Sequence, residues 1–114
     1  MIKLKRVYEK PSRDDGVRIL VERLWPRGLK KEEVAADLWL KEVAPSPELR
    51  RWFGHDPARW EEFRRRYLEE LEKNPEPVEL LKQKSGEGAV TLIYAAHDEA
   101  HNGAVVLKGF LEGR

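Results

Sequence analysis

The run Ala-Val-Thr-Leu-Ile-Tyr-Ala at 89–95 constrains this chain most. It is apolar almost throughout, rich in β-branched residues and preceded by the turn-forming Ser85-Gly86-Glu87-Gly88, so it reads as a strand. Val-Arg-Ile-Leu-Val at 17–21 has the same character, that of a strand buried within a sheet. Ile2 and Leu4 alternate with Lys3 and Lys5, a period-2 pattern for an edge or half-buried strand whose lysines discourage edge pairing. Helical patterns separate these strands. The order predicts an α/β fold, a small, largely parallel sheet of about four strands with flanking helices.

Residues 10–16 hold Pro, Ser, two Asp and Gly, which is loop chemistry. A short helix is expected over 29–36, and Asp-Leu-Trp-Leu-Lys-Glu-Val at 37–43 reads as a strand. Ser46 is a good N-cap and Pro47 a good first helical residue for a helix ending near Gly54. Asp56-Pro57 repeats that signal and opens a helix that sets Trp60, Phe63, Tyr67, Leu68 and Leu71 on one face. Asn74-Pro75-Glu76-Pro77 breaks it, 78–84 forms a short helix, and 85–88 turns the chain. His97-Asp98-Glu99 is a loop, and 100–112 forms a last helix with Val105, Val106, Phe110 and Leu111 inward.

At 114 residues the chain fits a single domain, 1–114. Cysteine is absent, which excludes disulfides, thiolate metal sites and cysteine nucleophiles and suits a reducing cytosol. The N-terminus lacks the apolar core of a signal peptide, and no apolar run approaches the roughly 20 residues of a membrane span, so a cytoplasmic protein with no membrane partner is expected. A net charge of +1 conceals an asymmetry: residues 1–31 carry ten Lys/Arg against four Asp/Glu. An anionic partner is therefore expected at the N-terminal third.

Ligands of open α/β sheets bind beyond the carboxyl ends of strands. Arg23-Leu24-Trp25-Pro26-Arg27-Gly28 directly follows a predicted strand. Its guanidinium groups match phosphate or carboxylate oxygens, and Trp25 offers a stacking surface. The structural alternative is that Trp25 plugs the core while Arg23 and Arg27 pair with Glu22, Glu32 or Glu33. A second cluster, Tyr94, His97, Asp98, His101 and Asn102, lies at a strand-to-helix junction, where backbone N–H groups favour an anion. Asp98 suits an N-cap there, and His97 suits proton transfer. The spacing of His97 and His101 is that of zinc proteases, but Asp98 stands where such a motif needs Glu, so no metal site is expected. Arg64-Arg65-Arg66 is balanced at i,i+4 by Glu61, Glu62, Glu69 and Glu70, the mark of a solvated helix face. There is no nucleophile elbow, phosphate-binding loop or Gly-x-Gly-x-x-Gly turn.

The leading expectation is a site of Arg23, Trp25 and Arg27 facing Tyr94, His97 and Asp98, with Asn102 close by, for a phosphate- or carboxylate-bearing small molecule; His97 and Asp98 are its candidate catalytic pair. The alternatives are a nucleic-acid-binding module that uses the basic N-terminal third with Trp25 as a stacking platform, and an interaction protein without catalysis. The residues leave cofactor and oligomeric state open.

Lys5-Arg6-Val7-Tyr8, Asp15-Gly16, Leu24-Trp25-Pro26-Arg27-Gly28, Trp39-Leu40-Lys41, Ala44-Pro45-Ser46, Trp52-Phe53-Gly54-His55 and Tyr94-Ala95-Ala96 with Asn102 together resemble the YeaO-like branch of a large bacterial family classed as a domain of unknown function. The resemblance implies a compact α/β domain of bacteria or archaea and no established activity, substrate or cofactor. It further implies cysteines around the last strand and helix of wider relatives, where this chain has Ala95, Ala96 and Asn102. A lysine is implied at the position of His97, which favours a cation aimed at an anion over a dedicated histidine role.

Overall fold

A computed structural model describes residues 1–113. Four strands, β1 (Ile2–Arg6), β2 (Val17–Leu20), β3 (Leu38–Trp39) and β4 (Val90–Tyr94), form one sheet in the order β1-β4-β2-β3, every pair parallel. The apolar run at 89–95 thus supplies an inner strand, and all five residues of β4 are buried. Five α-helices accompany the sheet: α1 (Lys31–Val34), α2 (Pro47–Phe53), α3 (Trp60–Glu72), α4 (Pro75–Glu87) and α5 (Gly103–Leu111). This is the expected largely parallel α/β fold.

The two sheet faces are covered very differently. Ile2, Ile19, Val90, Leu92 and Tyr94 pack with Leu49, Phe53, Phe63, Tyr67, Leu71, Leu81 and Leu107 of the helices in the main core. Phe53 and Phe63 stack there at 4.2 Å between ring centroids. On the opposite face only Val7, Leu20, Val34 and Ile93 form a small buried cluster.

That thin face is tied down by ions. Because β1 and β2 are parallel and β4 lies between them, residues 7–16 must return along the sheet, yet this segment has little apolar surface to bury. Asp15 anchors it, accepting from Lys5 Nζ at 3.0 Å, Arg18 Nη1 at 2.6 Å and the Ser12 amide at 2.9 Å, while its carbonyl accepts from Thr91 Oγ1 at 2.7 Å. Arg18, 5% exposed, also donates from Nε and Nη2 to the Ala35 and Val34 carbonyls at 2.9 and 2.8 Å. Gly16 sits at φ 64°, and a Cβ there would lie 2.2 Å from the Ala89 carbonyl oxygen, so the turn into β2 requires glycine.

Some expected boundaries move. The strand read over 37–43 narrows to Leu38–Trp39, followed by a 3-10 turn at Lys41–Val43. Asn74-Pro75 starts α4 instead of opening a loop, and that helix runs on through Ser85 and Gly86 to Glu87, because prolines are compatible with a first helical turn. The last helix starts at Gly103, three residues later than expected, since Asp98 holds the preceding turn in a non-helical form. Its buried residues are Ala104, Val106 and Leu107, and Phe110 and Leu111 pack against the main core as expected; Val105 is only half-buried and lines a surface groove.

Candidate functional site at the carboxyl ends of the strands

Where β4 ends, the Ala95 amide would face the end of the sheet without a strand partner. Glu22, just past β2, supplies one: its Oε2 accepts from Ala95 N at 3.0 Å. Burial pushes the Glu22 carboxyl above the usual range, against the Ala95 amide and the charges of Arg50 and His55. The Glu22 carbonyl accepts from Trp39 Nε1 at 2.6 Å, so one residue joins the ends of β2, β3 and β4.

The loop after β4 is organised by its own side chains. Asp98 Oδ1 accepts from the amides of Ala100 and His101, both at 2.9 Å, and Asp98 Oδ2 meets His101 Nδ1 at 2.9 Å. The amide and imidazole bonds hold the Asp98 carboxyl below its ordinary value. Asn102 is the N-cap of α5, its Oδ1 accepting from Val105 N at 3.0 Å, and its Nδ2 donates to the Asp98 carbonyl at 2.9 Å. Asp98 and Asn102 therefore shape the junction, and His101 packs edge-on against Trp60.

His97 is exposed and meets Arg6 from the end of β1. Arg6 Nη2 lies 3.3 Å from His97 Nδ1, and Arg6 Nε donates to the Ala96 carbonyl at 2.9 Å. The same guanidinium stands 5.1 Å from the Tyr8 ring centroid, and Tyr8 Oη donates to the Arg27 carbonyl at 3.3 Å. Arg6 and Tyr8, named in the sequence only within the family-like motif Lys5-Arg6-Val7-Tyr8, thus link the segment around Arg27 to the loop around His97. Tyr94 pairs with Arg6 in the sheet register and is 4% exposed. Burial, with Glu99 and Glu9 nearby, pushes its phenol above the ordinary value.

Arg23 takes another direction. Its Nε donates to the Pro45 carbonyl and its Nη2 to the Ala44 carbonyl, each at 3.2 Å. There it lines a cavity of about 310 Å³ with Glu42, Ser46, Tyr67, Glu70 and Lys73. Glu70 is already engaged, its Oε1 accepting from Ser46 N at 2.8 Å and its Oε2 from Ser46 Oγ at 2.6 Å. Tyr67 donates to the Val43 carbonyl at 2.6 Å. The cavity lies just beyond the ends of β2 and β3, where α/β sheets bind ligands.

Trp25 takes a third direction. It is 37% exposed, so it does not plug the core; its Nε1 donates to the Leu29 carbonyl at 2.7 Å, and its ring meets Trp39 edge-on at 5.3 Å. Tyr94, His97, Asp98 and Asn102 are gathered at one strand end, with Arg27 reached through Tyr8, whereas Arg23 and Trp25 point elsewhere. The residues that sequence reasoning missed are Arg6, Tyr8, Glu70 and Lys73. Arg6 and Tyr8 had a usable signal, since they lie at the carboxyl end of β1 as Arg23 lies beyond that of β2. Among the described residues, no three of His, Asp and Glu are grouped as a metal ion would need.

The all-parallel, four-stranded sheet with its flanking helices makes this a small α/β domain, with a loop after β4 ordered by its own Asp98 and Asn102. The chain belongs to the inactive DUF488-N3 subclade, whose family model matches residues 1–114. It is similar to the uncharacterized protein Rv3073c of Mycobacterium tuberculosis, at 43% identity over 113 residues covering 99% of this chain and 95% of that one. It is likewise similar to the uncharacterized protein YeaO of Escherichia coli, at 42% identity over 110 residues covering 96% of each. The YeaO-like resemblance of the sequence is thereby shown. No solved structure matches the chain.

Proposed function

We propose that this chain is a cytoplasmic binding domain without catalysis, which holds a carboxylate- or phosphate-bearing small molecule in the cavity beyond the ends of β2 and β3. The observation that carries the reading is the placement of Arg23. Two carbonyls fix its guanidinium at the cavity wall and leave Nη1 for a ligand oxygen, while the Lys73 ammonium, on the same lining, has no ion pair among the described residues. Both oxygens of Glu70 are held by Ser46, which fixes that carboxylate in place, while its charge and that of Glu42 stay on the same lining as Arg23 and Lys73. A cavity of about 310 Å³ suits a small metabolite.

Two observations favour binding over turnover. Asp98, the expected acid–base partner of His97, is occupied by two amides and the His101 ring. The family description is that of an inactive subclade. Thermal denaturation with inorganic phosphate and with citrate, against chloride at equal ionic strength, tests the reading. Stabilisation by either anion that Arg23→Gln abolishes is the expected outcome; a response unchanged by Arg23→Gln contradicts it.

A further inference from the structure

Tyr8, Leu24, Trp25 and Trp39 are four of the five large hydrophobic residues exposed among the described residues, and Leu24 and Trp25 adjoin the β3 edge that bears Trp39. Trp25 and Trp39 touch edge to face at 5.3 Å, and Tyr8 reaches the segment that bears Trp25 through the Arg27 carbonyl. The two indoles are held by their own backbone, since each N–H is spent on a carbonyl, that of Leu29 or of Glu22. The rings are therefore pre-set and have no donor left, so what they offer a ligand is a flat apolar face.

Cations are interleaved with these rings. Lys41 Nζ lies 4.5 Å from the Trp39 centroid and Arg6 Cζ 5.1 Å from the Tyr8 centroid, and Arg27 is tied to Tyr8 through its carbonyl. Among the described residues, none of Arg6, Arg27 and Lys41 forms an ion pair with a carboxylate, whereas Arg65 and Arg66 on α3 are neutralised by Glu62 and Glu69. Cations without an ion pair thus accompany the exposed aromatic faces.

We infer that this surface binds single-stranded nucleic acid, with unpaired bases stacking on Trp25 and Trp39 and phosphates meeting Arg6, Arg27 and Lys41. Alternating cations and donor-free rings suit a chain of alternating phosphates and bases, and stacking needs no sequence readout. Duplex is disfavoured, because the one helix on this face, α1, has four residues and is too short to enter a major groove. The site is independent of the Arg23 cavity and survives or fails separately from it.

The test uses the whole chain and a fluorescein-labelled oligothymidine of about 15 nucleotides in roughly 20 mM salt, followed by anisotropy. The expected result is saturable binding that weakens as salt rises, falls roughly tenfold or more in Trp25→Ala, and falls further in the double variant Arg27→Glu/Lys41→Glu. Because the charge reversals remove no side-chain hydrogen bond, they keep the test decisive if Trp25→Ala loses its fold. Arg65→Glu, on the neutralised helix, should change affinity by less than about twofold. The inference is overturned by absence of binding at low salt, by equal loss in Arg65→Glu, by equal affinity for duplex, or by equal affinity for polyglutamate, which would mark an acidic-protein surface.

Discussion

Glu22 and Asp15 are both carboxylates removed from water, and their surroundings move them in opposite directions. For Glu22, burial dominates and the carboxyl is raised. A raised folded value adds stability that is fully present below the unfolded glutamate value and is lost as pH rises through the folded one. Glu22→Gln keeps an acceptor for the Ala95 amide without the desolvated charge. It should melt higher than the wild type at neutral pH, with the gap closing in mildly acidic buffer; melting curves across that range check it, and a gap independent of pH contradicts it. For Asp15, burial also acts upward, but the bonds from Ser12, Lys5 and Arg18 outweigh it and hold the carboxyl low. Its contribution is present above the ordinary aspartate value and is lost as pH falls through the folded one. Asp15→Ala leaves Arg18 buried without its carboxylate and should cost about 3 kcal/mol in urea denaturation at neutral pH. Neither role was legible in the sequence, where Asp15 is one of several polar loop residues and Arg18 an interruption in an apolar run. Both depend on the return of 7–16 across the sheet, a long-range event with no local signal.

At the scale of elements, the sequence was most informative where local chemistry acts alone. Ser46-Pro47 and the face of Phe63, Tyr67 and Leu71 specify α2 and α3 through capping and helical period, and both helices form as read. The misreadings lie where one signal serves two structures. A proline after Asn74 can end a helix or occupy the first turn of the next, and here it does the latter in α4. Asp98 and Asn102 are both plausible N-caps; Asn102 caps α5 and Asp98 closes the turn before it. Asn102→Ala should therefore cost about 1 kcal/mol, measured by denaturant unfolding, with amide-exchange protection lost first at the start of α5. Gly16→Ala forces a Cβ against Ala89 at φ 64° and should cost more than about 1 kcal/mol.

For the whole molecule, the two faces of the sheet are covered unevenly. Four helices bury one face deeply, which leaves the thin face, the β3 edge and the strand ends to carry exposed rings and cations. The charge asymmetry of residues 1–31 was legible in the sequence, because net charge needs no fold to be counted. How Arg23 and Trp25 diverge was not legible, since their side chains are directed by the Pro45 and Leu29 carbonyls, while Arg27 is held through its own carbonyl by Tyr8. The central claim is that Arg23 presents an anion site. Its most direct test is the ¹H–¹⁵N resonance of the Arg23 Nε–H, followed as inorganic phosphate and then citrate are added. The account predicts a saturable shift at Arg23 together with the Ala44 and Ser46 amides, with the His97 amide unmoved. A shift at His97 with Arg23 unchanged, or no saturable shift at either, would contradict it.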